Sequence, residues 1–144
     1  MTKTFDMQFI RYINLFNKVT RIRANHCFSY NNTLVFVVPK MKVNEAIGKD
    51  NGNLKRLSSI LLKRIRIIGE PKSQRDVEGF ISVLISPIRY KTLEVVKNIN
   101  SQEELIITAG MESKAMLIGR NKTRLEELKN IVEQYFGIKN VRIL

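Results

Sequence analysis

Two short stretches, "AIGKDNGNLKRL" (Ala46–Leu57) and "LIGRNKTRLEEL" (Leu117–Leu128), decide how this chain is read. Laid over one another at a constant offset and without a gap, Ile-Gly-basic-Asp/Asn falls on Ile-Gly-basic-Asp/Asn, and two leucines fall on two leucines. Each copy has the ingredients of a phosphate-holding turn. A glycine lets the backbone bend sharply and approach an anion with no Cβ in the way. A helix behind it offers free N–H groups and the positive end of its dipole. The basic residue between them, Lys49 or Arg120, adds charge.

Working outward, the flanking segments repeat as well. Thr4–Val19 reads as a helix: Thr4 caps it, Asp6 suits its first turn, and Phe5, Phe9, Ile13 and Phe16 share one face. Asn25–Tyr30 and Thr33–Val38 read as strands joined by a tight Asn31-Asn32 turn, and Pro39 closes the second. Val43–Ile47 is a short helix into Gly48, and Asn53–Arg64 a longer one with Leu54, Leu57, Ile60 and Leu61 on one stripe. Alternating "RIRII" (Arg64–Ile68) is a strand.

The order then starts again. Ser73 reads as an N-cap with Asp76 in the capping-box place, ahead of a stripe of Val77, Phe80, Ile81 and Leu84 that Pro87 breaks. Thr92–Val96 and Leu105–Thr108 are strand candidates around a polar "NINSQEE" turn. Glu112–Ile118 is a short helix into Gly119, Asn121–Phe136 a long one capped by Gly137, and "NVRIL" (Asn140–Leu144) the closing strand. Two domains follow, 1–71 and 72–144, meeting near Gly69–Lys72.

Composition narrows the partners. Hydrophobic residues are 44% of the 144, enough for packed cores. The net charge of +12 and the pI near 10.1 favour a polyanion. That charge is uneven: residues 1–72 hold 14 Lys and Arg against 4 Asp and Glu (+10), whereas residues 73–144 hold 11 against 9 (+2). A membrane partner is disfavoured. The mid-chain apolar run Leu34–Val38 is far too short to span a bilayer, Asp6, Arg11 and Asn14 interrupt any signal-peptide core, and Met1-Thr2 excludes myristoylation. Cys27 stands alone, and with His26 offers only two metal ligands. A cytoplasmic chain with no metal and no cofactor is expected.

The glycine turn between two helices, in this order of elements, resembles the KH domain of the type that carries its extra helix at the N-terminus. The closer resemblance is to archaeal NusA-like transcription factors, through "TLVFVVPKMKVNEAIGKDNGNLKRLSSILLKRIRIIGEP" (Thr33–Pro71) and "MLIGRNKTRLEELKNIVEQYFGIKNVRIL" (Met116–Leu144). It implies an α+β fold of two tandem type II KH domains (α-β-β-α-α-β), packed as one unit. It also implies a monomer that holds single-stranded RNA, the nascent transcript, during transcription elongation or termination, with RNA polymerase as a further partner. KH turns clamp about four nucleotides by the backbone. Carried over, the RNA-binding residues are Ile47, Gly48, Lys49, Asp50, Asn51, Gly52, Asn53, Lys55 and Arg56 in the first copy, and Ile118, Gly119, Arg120, Asn121, Lys122 and Arg124 in the second. Ile47, Leu54, Ile118 and Leu125 would line apolar grooves for the bases.

The chain departs from the family at the fourth position of both turns. The usual Gly-x-x-Gly here reads Gly48-Lys49-Asp50-Asn51 and Gly119-Arg120-Asn121-Lys122. Asparagine tolerates left-handed backbone well and Gly52 follows it, whereas Lys122 tolerates it poorly and Thr123 is β-branched. Asp50 places a negative charge beside the phosphate path. The first copy is therefore expected to carry most of the RNA affinity. Its helix has Lys55 and Arg56 where the second has Glu126 and Glu127.

Other readings fare worse. Glu103-Glu104 and Glu126-Glu127 are adjacent acids that point apart, and nothing has the spacing of a nucleophile and its base, so an enzyme is not expected. "NKT" at Asn121–Thr123 lacks the glycines of a nucleotide-binding P-loop. The phenylalanines sit at core spacing, not as an exposed stacking pair. The alternative is a protein-interaction module that docks on RNA polymerase or the ribosome, with weak or vestigial RNA binding. Lys63 and Arg66 suit a solvated face as well as a contact.

Overall fold

The computed structural model describes residues 7–73 and 75–144, and the chain divides into two compact units, Met1–Lys72 and Ser73–Leu144. Among the described residues each holds three α-helices and one three-stranded sheet.

In the first unit, helix α1 (Met7–Thr20) turns its apolar stripe inward: Phe16 is fully buried and its ring stacks on Phe36 at 4.5 Å. The expected cap Thr4, and Phe5 and Asp6 with it, lie outside the described residues. The helix ends where the Thr20 hydroxyl donates to the Phe16 carbonyl (2.9 Å) and accepts from the Ile22 N–H (3.0 Å). Strands β1 (His26–Tyr30) and β2 (Thr33–Val38) then form a hairpin. Asn31 and Asn32 both take positive φ (57° and 55°), the two-residue turn whose twist matches the strands.

Helices α2 (Val43–Ile47) and α3 (Gly52–Leu61) cross back, and β3 (Arg64–Gly69) pairs parallel to β2 from Thr33↔Arg64 to Val38↔Gly69. The order is β1-β2-β3, which leaves β3 an edge strand. Strand alternation sends Cys27, Leu34, Phe36, Val38 and Ile67 to the helix side, where Phe16, Ala46 and Leu57 complete the core. Helix α3 stops three residues short of the expected Arg64. Leu62 turns left-handed (φ 56°), its N–H meets the Ser58 carbonyl at 2.8 Å, and Arg64 is free to start the strand.

The second unit opens with α4 (Val77–Ile85), which buries Val77, Phe80, Ile81, Leu84 and Ile85. Its N-cap is Asp76 and not the expected Ser73. Ser73 instead accepts the Arg75 N–H on its hydroxyl (3.1 Å), a local turn ahead of the helix. Strands β4 (Thr92–Lys97) and β5 (Glu103–Thr108) form an antiparallel hairpin whose turn is held by the Asn98 side chain, which accepts the N–H groups of Asn100 (2.8 Å) and Gln102 (3.0 Å). After α5 (Met111–Ile118) and α6 (Thr123–Phe136), β6 (Asn140–Ile143) pairs parallel to β5 in the order β4-β5-β6. Helix α6 begins at Thr123 and not at Asn121, because Asn121 and Lys122 are left-handed. It ends at Gly137 (φ 68°), whose N–H meets the Glu133 carbonyl at 3.0 Å. Among the described residues no helix is long and apolar enough to cross a membrane.

Candidate nucleic-acid interface

The two glycine turns have the same backbone. Gly48 (φ 83°, ψ 166°) is followed, after Lys49, by Asp50 (54°, 34°) and Asn51 (60°, 28°). Gly119 (76°, 172°) is followed, after Arg120, by Asn121 (55°, 29°) and Lys122 (60°, 19°). The glycine N–H closes the preceding helix, onto Asn44 (3.0 Å) or Ala115 (2.9 Å). The fourth residue's N–H returns to the glycine carbonyl, at 3.1 Å from Asn51 and 3.2 Å from Lys122.

Both glycines are obligatory here. Their φ and ψ lie in a region essentially reserved for glycine. A Cβ on Gly48 would stand 3.0 Å from the Asn53 N, and one on Gly119 would stand 2.7 Å from the Arg124 Cβ. The glycine therefore lets the next helix begin against the turn.

Two sequence expectations are corrected here. The left-handed demand falls on the third position as well as the fourth, and Asp50 and Asn121, residues that tolerate it, fill the third. Gly52 gives the first turn no advantage, because it is an ordinary helical residue (φ −59°, ψ −48°). Thr123 is helical too (φ −60°, ψ −44°), so its branching does no harm. Lys122 alone carries a cost, of about 1–2 kcal/mol.

Beside the first turn runs a groove of about 470 Å³ between α3 and the start of β2 and β3. Asn51, Leu54, Lys55 and Ser58 line the helix side, and Thr33, Arg64, Ile65 and Arg66 the strand side. Of the carried-over residues, the structure brings Asn51 and Lys55 to this groove. Lys49, Asp50 and Gly52 are exposed on the turn above it, and Asn53 is half-buried behind Gly48. Arg56 is exposed but does not line the groove, since the next residue along a helix points about 100° away. Ile47 packs with Leu54 against the core and does not line it.

The strand wall of Thr33 and Ile65, and Ser58 on the helix, went unread in the sequence. For the helix side a signal exists: Asn51, Leu54, Lys55 and Ser58 follow the i, i+3, i+4, i+7 pattern of one helix face. The parallel pairing that sets Arg64 beside Thr33 is non-local and leaves no such periodicity.

The groove is electropositive. Lys55, Arg64 and Arg66 line it and no carboxylate does. Among the described residues, Lys49, Lys55, Arg56 and Arg64 take part in no ion pair. Burial pulls the Arg66 guanidinium below its ordinary pKa, and Tyr30 beside it opposes that shift.

The second unit keeps the turn and changes the charge. Arg120, Asn121 and Lys122 are exposed, Arg124 underlies Gly119, and Ile118 and Leu125 are half-buried. Glu126, in the place of Lys55, lies 3.5 Å from Lys129. On the strand side Glu104 accepts from Asn98 and Asn140, each at 3.4 Å, and lies 3.8 Å from Arg142. Elsewhere Cys27 is buried in the core, and burial raises its thiol pKa, so it is held as a neutral thiol.

No protein-family model matches the chain. Among characterised sequences it is similar to a "Probable transcription termination protein NusA" of Thermoplasma acidophilum, 22% identical over 97% of this chain and 94% of that one. Proteins of the same description from Methanococcus vannielii (24% identical, 94% of this chain and 76% of that one) and Halococcus morrhuae (24%, 99% of each) are similar too. Among solved structures, the crystal structure of APE1850 shares the fold with a TM-score of 0.71, at 22% identity over 97% of this chain and all of that one. Over nearly its whole length the chain is thus similar to the archaeal NusA-like proteins.

Proposed function

We propose that the chain is an RNA-binding transcription factor of the NusA type, made of two tandem type II KH domains (1–71 and 72–144), and that it holds single-stranded RNA without catalysing a reaction. One observation carries the reading: the same glycine turn occurs twice, each time between two helices, in a backbone form that only glycine permits at its first position. At its first position such a turn puts no Cβ against the N–H groups of Asn53 or Arg124 at the N-terminus of the next helix. The relatives described as transcription termination proteins, and the net charge of +12, support the same reading.

In mechanism, the backbone of an unpaired strand passes over Lys49–Asn51 and the start of α3, and its bases turn into the groove over Leu54 and Ile65. Lys55, Arg56 and Arg64 supply the charge. The first unit carries most of the affinity, since the second has Glu126 and Glu127 beside its turn and Glu104 against Arg142. That acidic setting favours the docking alternative for the second unit: a surface for a protein partner such as RNA polymerase.

Titration with short single-stranded and duplex RNAs at two salt concentrations tests the reading. The single strand is expected to bind more tightly, with an affinity that falls steeply as salt rises. Equal affinity for a hairpin stem and an unstructured oligomer would refute it.

A further inference from the structure

We propose that the first-unit groove selects its base as well as its strand, favouring guanine or cytosine over adenine through the guanidinium fork of Arg64. The inference rests on the RNA-binding reading above and adds the class of base.

It comes from counting which side-chain hydrogen-bonding groups the groove has left to offer. The Thr33 hydroxyl donates to the Asn31 carbonyl (3.2 Å) and the Ser58 hydroxyl to the Lys63 carbonyl (2.9 Å), so both hydroxyl protons are already engaged. No carboxylate lines the groove. Apart from the Asn51 amide, the side-chain donors left for a base are cationic, and such bonds are roughly twice as strong as neutral ones.

Among the side chains, cationic donors favour a base edge with two adjacent acceptors. Guanine has O6 beside N7, the pair that an arginine fork grips with both arms. Cytosine has O2 beside N3. Adenine sets its N6 amino group beside both N1 and N7, so on either edge a donor meets the fork. Uracil separates its carbonyls by N3–H and takes one arm at a time.

Arg64 is the fork best placed for this. It is exposed at the start of edge strand β3, level with Thr33, and in no ion pair among the described residues. Arg66 is only half-exposed, and Lys55 is a point charge that suits phosphate. Leu54 and Ile65 provide apolar surface for the face of the base. The second unit has no such fork: Asn140 and Arg142 begin its strand, and Arg142 lies 3.8 Å from Glu104.

The test is fluorescence anisotropy of the full chain with labelled uridine octamers whose two central positions are replaced by GG, CC or AA, at two salt concentrations and with a labelled duplex RNA alongside. The GG and CC strands are expected to bind about tenfold more tightly than AA. Arg64→Lys keeps the charge and loses the fork, so it should bring that ratio to about twofold or less while leaving the salt slope unchanged. Far-UV circular dichroism checks that the variant is folded. If AA binds as well as CC and GG, or if the ratio survives Arg64→Lys, while single strands still outbind duplex, the base inference is overturned and the RNA reading stands. If no strand binds, or duplex binds equally, the RNA reading fails and takes this inference with it.

Discussion

The two glycines of the first turn, Gly48 and Gly52, should respond in opposite ways to the same methyl group. Gly48 has φ +83°, and a Cβ there would stand 3.0 Å from the Asn53 N and 3.1 Å from the Asn53 side chain. Gly48→Ala therefore combines backbone strain of about 1–3 kcal/mol with a clash against backbone that cannot give way cheaply, and a destabilisation of about 2–3 kcal/mol is expected. Gly52 has helical angles, and no heavy atom lies within 4 Å of where its Cβ would be. Gly52→Ala costs nothing in the fold and restricts the unfolded chain, for a gain of about 0.5 kcal/mol. Urea unfolding followed by circular dichroism reads both changes as shifts in midpoint at constant slope. If Gly52→Ala destabilises as much as Gly48→Ala, the second left-handed position lies at Gly52 and not at Asn51, and our account of the turn is wrong.

Two further outcomes follow from the same geometry. Lys55→Glu with Arg56→Glu should weaken RNA binding and reduce the slope of log affinity against log salt by about 0.7 for each phosphate left without its cation, whereas Arg120→Asp should do less of both; the reverse ranking in anisotropy titrations would make the second unit the reader. Leu62 is 87% exposed in a left-handed conformation at the end of α3, so Leu62→Gly should raise stability by about 0.5–1 kcal/mol in urea, and an unchanged or lowered midpoint would contradict that.

Elements with dense local signals were legible in the sequence. "TLVFVV" gave β2 its bounds, the paired asparagines gave the hairpin turn, and Gly137 gave the end of α6, because β-branching, left-handed tolerance and the missing Cβ act within a few residues. The glycine turns were legible for the same reason, and with them the exposed cations Lys49 and Lys55. Errors arose where two local rules competed. "LLKRIRII" continues a helical stripe into an alternating strand, and the pairing of Arg64 with Thr33 settles the boundary in favour of the strand. Ser73 and Asp76 both satisfy capping chemistry, and the backbone geometry gives Asp76 the cap. The strand wall of the groove was hidden for a different reason: it is made by parallel pairing across the whole α2–α3 crossover, which a window of sequence does not reveal.

The repeat separates what the fold requires from what the ligand requires. In both turns the glycine closes the helix before it and admits the helix after it, and the third and fourth residues turn left-handed whether they are Asp-Asn or Asn-Lys. Lys122 holds that form at a cost of about 1–2 kcal/mol, so the crossover between helices demands the shape regardless of the side chain present. The shape alone is then an argument for the fold and only half an argument for RNA. The other half must come from side chains that the crossover does not dictate. In the first unit these are Lys55 and Arg64, cations outside any ion pair among the described residues, beside an open groove. In the second the corresponding places hold Glu126, engaged with Lys129, and Asn140, which donates to Glu104. Buried apolar area cannot account for that difference, since Leu57 and Leu128 are equally buried behind the two turns. The difference lies in surface charge, so charge reversal, and not core substitution, is expected to separate the two units.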